Sequence, residues 1–357
     1  MNKWLVAAGI TIAAFTNSCS TDFDLNADFI ETPVVYGLLD ASVDTQYIRI
    51  NRAYLSDEVD GLTLAADPNS IYYGDELQVR IEEYNGALVN TYILERVDGD
   101  TLGMPKQDGV FATSPNILYR FVADLDYTHY YKLIAENTET GKVITATTNV
   151  IDSFSITRPD DESVFPFAVS LSPQNVFQLR WKSAQDAKIY DITMRFHYRE
   201  GIYYPEGDSI HYTFSGYKDW VVERNVEAES TDGNVTLTYD VSGETFYNFI
   251  KTEFDPVDDF SFIRIADSVQ FFIDGGGLEL FTYFEYNNAT LGITEGQITD
   301  AYTNVEGGLG ILSSRYHKEG HIYPLAIQTR DSIACSSVTN GLNFAPDGST
   351  FGFPYCN

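Results

Sequence analysis

His317 and His321 stand four residues apart, a spacing that on a helix turns two imidazoles to one face and lets them share a zinc ion. Gly320 lies between them, no Glu completes an HExxH pattern, and the flanking residues read as loop. The pair is therefore expected to be exposed loop histidines, with no metal centre. His129, His197 and His211 are scattered among strand-like residues, where packing in a core or at its rim accounts for each. Three acid-rich stretches, Asp98-Gly99-Asp100, Asp160-Asp161-Glu162 and residues 255–259, carry oxygen ligands of the kind calcium takes. None has the alternating ligand spacing of an EF-hand loop closed by its Glu, so solvated faces are expected. With 52 acidic side chains, no one pair of carboxylates stands out for glycoside hydrolysis. No cofactor motif is present.

Gly207-Asp208-Ser209-Ile210 resembles the Gly-Asp-Ser block of a hydrolase family. That block belongs near the start of an α/β enzyme, with an Asp-x-x-His downstream. Here it sits mid-chain between β patterns and no Asp-x-x-His follows. As a set of turn residues it needs no chemistry. The aromatics are more informative: 25 Tyr, 23 Phe and 3 Trp. Most fall at strand spacing and are expected in a core. In the doublets Tyr72-Tyr73, Tyr130-Tyr131 and Tyr203-Tyr204, neighbouring strand residues face opposite ways, so one of each pair is expected near the surface. Exposed Tyr is effective contact area for a protein, peptide or glycan, which makes Tyr203 and Tyr204 candidate contact residues.

The elements that would hold these residues are strands. Residues 46–52 and 77–84 alternate polar and apolar with period two, and Asn85-Gly86 after the second is a hairpin signal. Further strands are expected over 119–125, 131–136 and 143–154. Leu125 to Leu133 resembles the tyrosine-corner region of immunoglobulin-like folds. Pro159 and the charges beside it break the pattern. A second set of strands then begins with Val176 to Trp181, which, with Ala184, Ala187, Tyr190 and Ile192, resembles strands B and C of a fibronectin type III domain. There Trp181 would fill the core and its N–H would find a partner. Strands follow over 189–199, 210–217, 220–226, 235–241, 268–273 and 278–287. One helix is expected at about 243–254, where Ser242 can cap it and Phe246, Phe249 and Ile250 share a face. The fold class is mainly β: two β-sandwich domains, immunoglobulin-like over 30–157 and fibronectin-like over 158–357, with about one helix in the second.

The 357 residues carry a formal charge of -30. A nucleic-acid binder held by a basic groove is excluded, because phosphate contacts need Lys and Arg in excess. Hydrophobic residues at 44% and aromatic residues at 14% also set the chain apart from disordered polypeptides. Residues 1–18 have the layout of a secretory signal: Lys3, an apolar run from Trp4 to Phe15, then Thr16-Asn17-Ser18 before Cys19. Cys19 after this run resembles a bacterial lipobox, although Thr16 and Asn17 replace its usual Leu and small residue. Lipidation would make Cys19 the mature N-terminus and anchor the chain. Ser20-Thr21-Asp22-Phe23-Asp24 resembles the acidic export tag of Bacteroidota lipoproteins, within a tether over 19–29. Cys335 and Cys356 then remain as an even pair in an oxidising compartment, expected to form a disulfide. The bridge encloses 20 residues and contributes roughly 3 kcal/mol on a chain-entropy estimate.

Two blocks resemble an uncharacterised family of Bacteroidota outer-membrane lipoproteins, often encoded beside TonB-dependent transporters. One is Ala301-Tyr302-Thr303-Asn304-Val305-Glu306-Gly307-Gly308-Leu309-Gly310-Ile311-Leu312. The other is Pro33 to Asp40 followed by Tyr47 to Leu55. The resemblance brings no catalytic residues. With the lipobox, the acidic tag, the β-sandwich pattern and the lack of a credible active site, it leads to the expectation of a non-enzymatic accessory or binding subunit, anchored by lipid in the outer membrane and facing the cell exterior. Its partner would be an outer-membrane β-barrel protein: a transporter, or a barrel-assembly or secretion machine. Larger, mainly helical transporter lids do not match this β-rich chain. A glycan- or peptide-binding module, or a hydrolase in nutrient capture, is the alternative. Read from its residues, 304–310 is a glycine-rich turn into a buried strand, with glycines suited to positive φ or close backbone approach. Asn304, Gly307 and Gly308 are candidate ligand contacts.

Overall fold

The computed structural model describes residues 32–53, 61–160, 167–207, 209–259, 261–290 and 302–346. The first half opens with β1 (Thr32–Asp40) and β2 (Thr45–Ala53). Gln46 closes their turn by exchanging hydrogen bonds with the backbone of Asp40 at 2.8 and 2.9 Å. Two short helices follow, α1 (Gly61–Ala65) and α2 (Pro68–Ile71), the second capped by Asp67 with Pro68 in its first turn, where a missing N–H is harmless. β3 (Leu77–Asn85) and β4 (Ala87–Ile93) form the expected hairpin, with Gly86 at φ +71°. β5 (Glu95–Asp98), β6 (Ile117–Val122), β7 (Tyr130–Asn137), β8 (Val143–Asn149) and β9 (Ile156–Arg158) complete this half.

The second half contains β10 (Val176–Lys182), two long strands β11 (Ala187–Tyr204) and β12 (Ser209–Glu227), and β13 (Thr236–Ser242). Helix α3 (Gly243–Glu253) starts where the sequence places it. Ser242 accepts from the Thr245 N–H, and Phe246 and Ile250 are buried with Phe249 packed beside them. Then come β14 (Phe262–Gly277), α4 (Leu278–Thr290), β15 (Val305–Glu306), β16 (Leu309–Pro324) and α5 (Ile327–Cys335).

The strands form three sheets. One has eight strands in the order β12-β11-β14-β16-β1-β2-β6-β5, one has five in the order β15-β8-β7-β3-β4, and one has three in the order β13-β10-β9. The eight-stranded sheet runs through both halves of the chain. Its central joint is the parallel pairing of β1 with β16, in which Val35 faces Gly310 and Gly37 faces Leu312. The other pairings within it are antiparallel.

Two hydrophobic cores lie along this sheet. The first is roofed by the five-stranded sheet and buries Ile48, Ile81, Tyr131, Leu133 and Val150. The second is roofed by the three-stranded sheet and α3, and buries Trp181, Tyr190, Phe196, Phe271 and Phe246. Val150 belongs to the first core and Ile151 to the second. Val305 and Leu312, far along the chain, join the first. The fold is thus mainly β with sandwich-type packing, as expected. The tyrosine corner is present: the Tyr131 hydroxyl accepts the Asp126 N–H at 2.8 Å. A second occurs at Tyr190, whose hydroxyl accepts the Ala184 N–H at 2.7 Å.

Four expectations are corrected. Five α-helices occur among the described residues rather than about one. Residues 278–287, read as an aromatic strand, belong to α4. Its Leu280 N–H is held by the Ser313 hydroxyl at 3.3 Å, and Lys188 sits over the Phe281 ring. Packing on β16 and β11 overrides local β propensity here. Tyr72 and Tyr73 are both buried, because they lie outside any strand and alternation does not apply. The Trp181 ring fills the second core, but its Nε1–H meets no acceptor among the described residues, since apolar side chains surround it.

Candidate recognition face

Along β11, Ile192, Met194, Phe196 and Tyr198 point into the second core. Alternation therefore sends Asp191, Thr193, Arg195, His197 and Arg199 to the opposite face of the sheet. Antiparallel register aligns their neighbours. Arg195 lies between Asp219 of β12 and Gln270 of β14, and His197 between Tyr217 and Ser268.

A ladder of rings and charges results. Arg195 makes a two-point ion pair with Asp219 at 2.7 and 2.9 Å. Its guanidinium also lies 3.9 Å from the Tyr217 ring centre and 4.8 Å from that of Phe272. Phe272 stacks on His317 at 5.7 Å, and His317 Nδ1 is 2.7 Å from Asp274. One step along, Arg199 covers the Tyr212 ring at 4.5 Å and bonds Asp267 at 3.1 Å. Gln270 donates to Glu319 and to the Gly320 carbonyl at 2.7 and 2.9 Å. The Asp219 carboxylate holds Arg195 above the ordinary guanidinium range. Burial holds His197 below the ordinary imidazole range, with Gln270 pulling the other way.

The face is open to solvent. Tyr217 is 54% exposed, and Tyr212, Val221 and Ile322 are also exposed. Rings, guanidinium groups and carboxylates so arranged suit recognition by contact, because each cation is already held in place and several ring surfaces remain free to pack.

The residues singled out by sequence are not brought together. Tyr204 is 52% exposed at the end of β11, while Tyr203 is 8% exposed and packs on Ile263, Ile265 and Ala345. Of this doublet only Tyr204 offers contact area. Asn304, Gly307 and Gly308 lie beside the first core and serve the backbone. Asn304 donates to the Leu312 carbonyl at 2.6 Å and accepts the Leu312 N–H at 2.9 Å. Gly307 has φ +77°, and a Cβ on Gly308 would lie 2.7 Å from the Pro33 carbonyl oxygen. Cys335 is disulfide-bonded. Its expected partner Cys356 lies outside the described residues, as do Cys19 and the tag Ser20, Thr21, Asp22, Phe23 and Asp24.

His317 and His321 are on β16, not in a loop. Four residues of extended strand span about 13 Å, so the two rings cannot close on one ion. No cluster of three metal-ligating side chains occurs among the described residues. Gly207 ends a short 3₁₀ turn and Ser209 starts β12, while Asp208 lies outside the described residues. Asp98 caps the 3₁₀ turn that begins at Gly99. His129 bonds Glu83 at 2.7 Å, and that carboxylate also accepts from Tyr92 and Tyr131. Glu83 is thus a satisfied buried acid at the rim of the first core.

Arg195, Arg199, Tyr212, Tyr217 and Phe272 do not stand out as a group in the sequence. The one local signal is the polar set at every second position from Asp191 to Arg199. What register adds is which side chains stand beside them. No helix among the described residues is long and apolar enough to cross a membrane.

No protein-family model matches the sequence, and no curated protein matches it either. Among solved structures, the chain is similar to Escherichia coli alpha-2-macroglobulin activated by porcine elastase, at 8% sequence identity and a TM-score of 0.16. The match covers 70% of this chain and 19% of that one.

Proposed function

We propose that this chain is a surface-exposed, lipid-anchored protein of the outer membrane, acting as a non-enzymatic accessory or binding subunit of a β-barrel complex. The barrel would be a TonB-dependent transporter, a barrel-assembly machine or a secretion machine. Cys19, the acidic residues after it and the two family-like blocks motivate the location and the partner. The structural observation that supports binding is the exposed ladder of Tyr212, Tyr217, Arg195 and Arg199. Tyr and Arg dominate contact energy at protein interfaces. Here both arginines are already fixed by carboxylates and rings, which lowers the ordering cost of association.

The test is purification of the lipidated protein from its own membrane in mild detergent, read by mass spectrometry. A stoichiometric barrel protein is expected, and its recovery should fall at least about tenfold in a Tyr212→Ala, Tyr217→Ala double variant. Absence of any barrel, or full recovery with the double variant, refutes the reading. The same exposed rings favour a second reading, a glycan- or peptide-binding module, because flat aromatic surfaces pack on both ligands. Binding of the full chain to a glycan or peptide array, lost in the double variant, would favour that reading instead.

A further inference from the structure

At the end of the first core, the chain leaves one sheet for another. β4 pairs with β3 in the five-stranded sheet, and after Leu94 the chain continues as β5, which pairs with β6 in the eight-stranded sheet. The crossing leaves the corner of the sandwich open. A cavity of about 420 Å³ lies there, lined by Leu77, Val79 and Leu94 together with Arg96 and Tyr119. Such a volume suits a small organic molecule.

Two polar groups converge on it. Arg96 and Tyr119 are direct cross-strand partners. The Arg96 Nε–H donates to the Tyr73 carbonyl at 3.0 Å. Its terminal nitrogens are in no ion pair among the described residues, whereas the neighbouring Arg80 is engaged by Glu82 at 2.9 Å. Asp75 stands on the rim. The Tyr119 side chain is 2% exposed; the Arg96 guanidinium lies within reach of its hydroxyl oxygen, and no acceptor for the hydroxyl proton is present among the described residues. Burial pushes that hydroxyl up to about 12, so it stays protonated and remains a donor at neutral pH. A buried hydroxyl proton without an acceptor is costly, and most buried polar groups in native proteins are satisfied. A ligand oxygen in the cavity would satisfy this one.

The geometry points to a binding site for a small carboxylate with a compact apolar body, its carboxylate on the Arg96 guanidinium and the Tyr119 hydroxyl and its body against Leu77, Val79 and Leu94. A guanidinium fork matches a planar carboxylate with two parallel hydrogen bonds. The phenol adds a third donor. The site stands apart from the ladder face and does not depend on the partner proposed for it.

Benzoate is a suitable probe, with benzamide as its uncharged counterpart. Both would be titrated into the full chain in detergent and followed by ligand-observed NMR. Benzoate is expected to saturate and benzamide to bind at least about tenfold more weakly, since a charge-assisted pair is lost. Arg96→Gln should weaken benzoate by a similar factor, and Arg96→Lys, which keeps the charge but not the fork, by less. Tyr119→Phe should weaken benzoate severalfold while leaving the melting temperature unchanged or higher, because it deletes an unsatisfied group and leaves the ring in the core. That thermal readout shows that the variant is folded. No saturation by about 10 mM benzoate, equal affinity in Arg96→Gln, or unchanged affinity in Tyr119→Phe overturns the proposal. The last outcome would mean that the hydroxyl is served by trapped water.

Discussion

Asn304 provides the sharpest test of how the two halves of the eight-stranded sheet are joined. Leu312 lies in β16 opposite Gly37 of β1. On its other side β14 does not reach it, because the β14–β16 pairing stops at Arg315. In a parallel strand one residue's N–H and C=O point the same way, so Leu312 would be left with both groups unmet. The Asn304 side chain meets both, at 2.6 and 2.9 Å, in the manner of a missing strand. Leu312 is fully buried in the first core, while Asn304 is half-buried. Asn304→Ala removes two hydrogen bonds. At about 1 kcal/mol each, with water reaching the vacated place, the loss is about 2 kcal/mol; with both groups dry it approaches 4 kcal/mol. Asn304→Asp keeps the acceptor for the N–H but sets a carboxylate oxygen against the carbonyl, and should cost at least as much as Ala. Equilibrium urea unfolding measures the difference, and hydrogen exchange at the Leu312 amide localises it. A loss below about 0.5 kcal/mol for Ala, or a wild-type Asp variant, would refute this account and return Asn304 to the ligand role that its sequence context offers.

Other perturbations follow from the same geometry. Gly310 has φ +100°, and a Cβ there would collide with the Val35 carbonyl oxygen. Gly310→Ala should therefore open the β1–β16 joint and lower stability by more than the roughly 1–3 kcal/mol of backbone strain alone, read by urea unfolding. Tyr131→Phe leaves the Asp126 N–H without its acceptor and removes a donor to Glu83; a loss of about 1–3 kcal/mol is expected by the same method. Glu279 is pushed above the ordinary glutamate range by burial, with the Ser313 hydroxyl pulling it back. The folded chain then holds this proton more tightly than the unfolded chain, so folding is penalised once pH rises above the folded-state value and not below the ordinary one. Glu279→Gln should raise the melting temperature at neutral pH, and the gain should vanish as pH falls below the ordinary glutamate range; a gain that persists in acid refutes it.

The alternation in β3 and β11, the Asn85-Gly86 turn, the Ser242 cap with its apolar helix face, the burial of Trp181 and the tyrosine corner over 125–133 were legible in sequence. These depend on neighbours two to four residues away, and a strand or helix period expresses them directly. The glycine-rich run at 304–310 was legible as a backbone device for the same reason. Other features were decided only by tertiary structure. The parallel pairing of β1 with β16 joins Asp40 to Arg315 at 2.8 Å across 275 residues of sequence, and no local pattern encodes such a partner. The aromatic run from Leu278 has strand-like composition, yet folds as α4 because β11 and β16 supply a surface for a helix. Tyr203 and Tyr204 look alike in sequence, and the neighbouring Ile263 and Ile265 decide which is buried. Arg195 becomes part of an exposed ladder of rings and charges through Tyr217, Asp219 and Phe272 on adjacent strands. Local periodicity fixes which face a side chain takes, and long-range register fixes what it meets there.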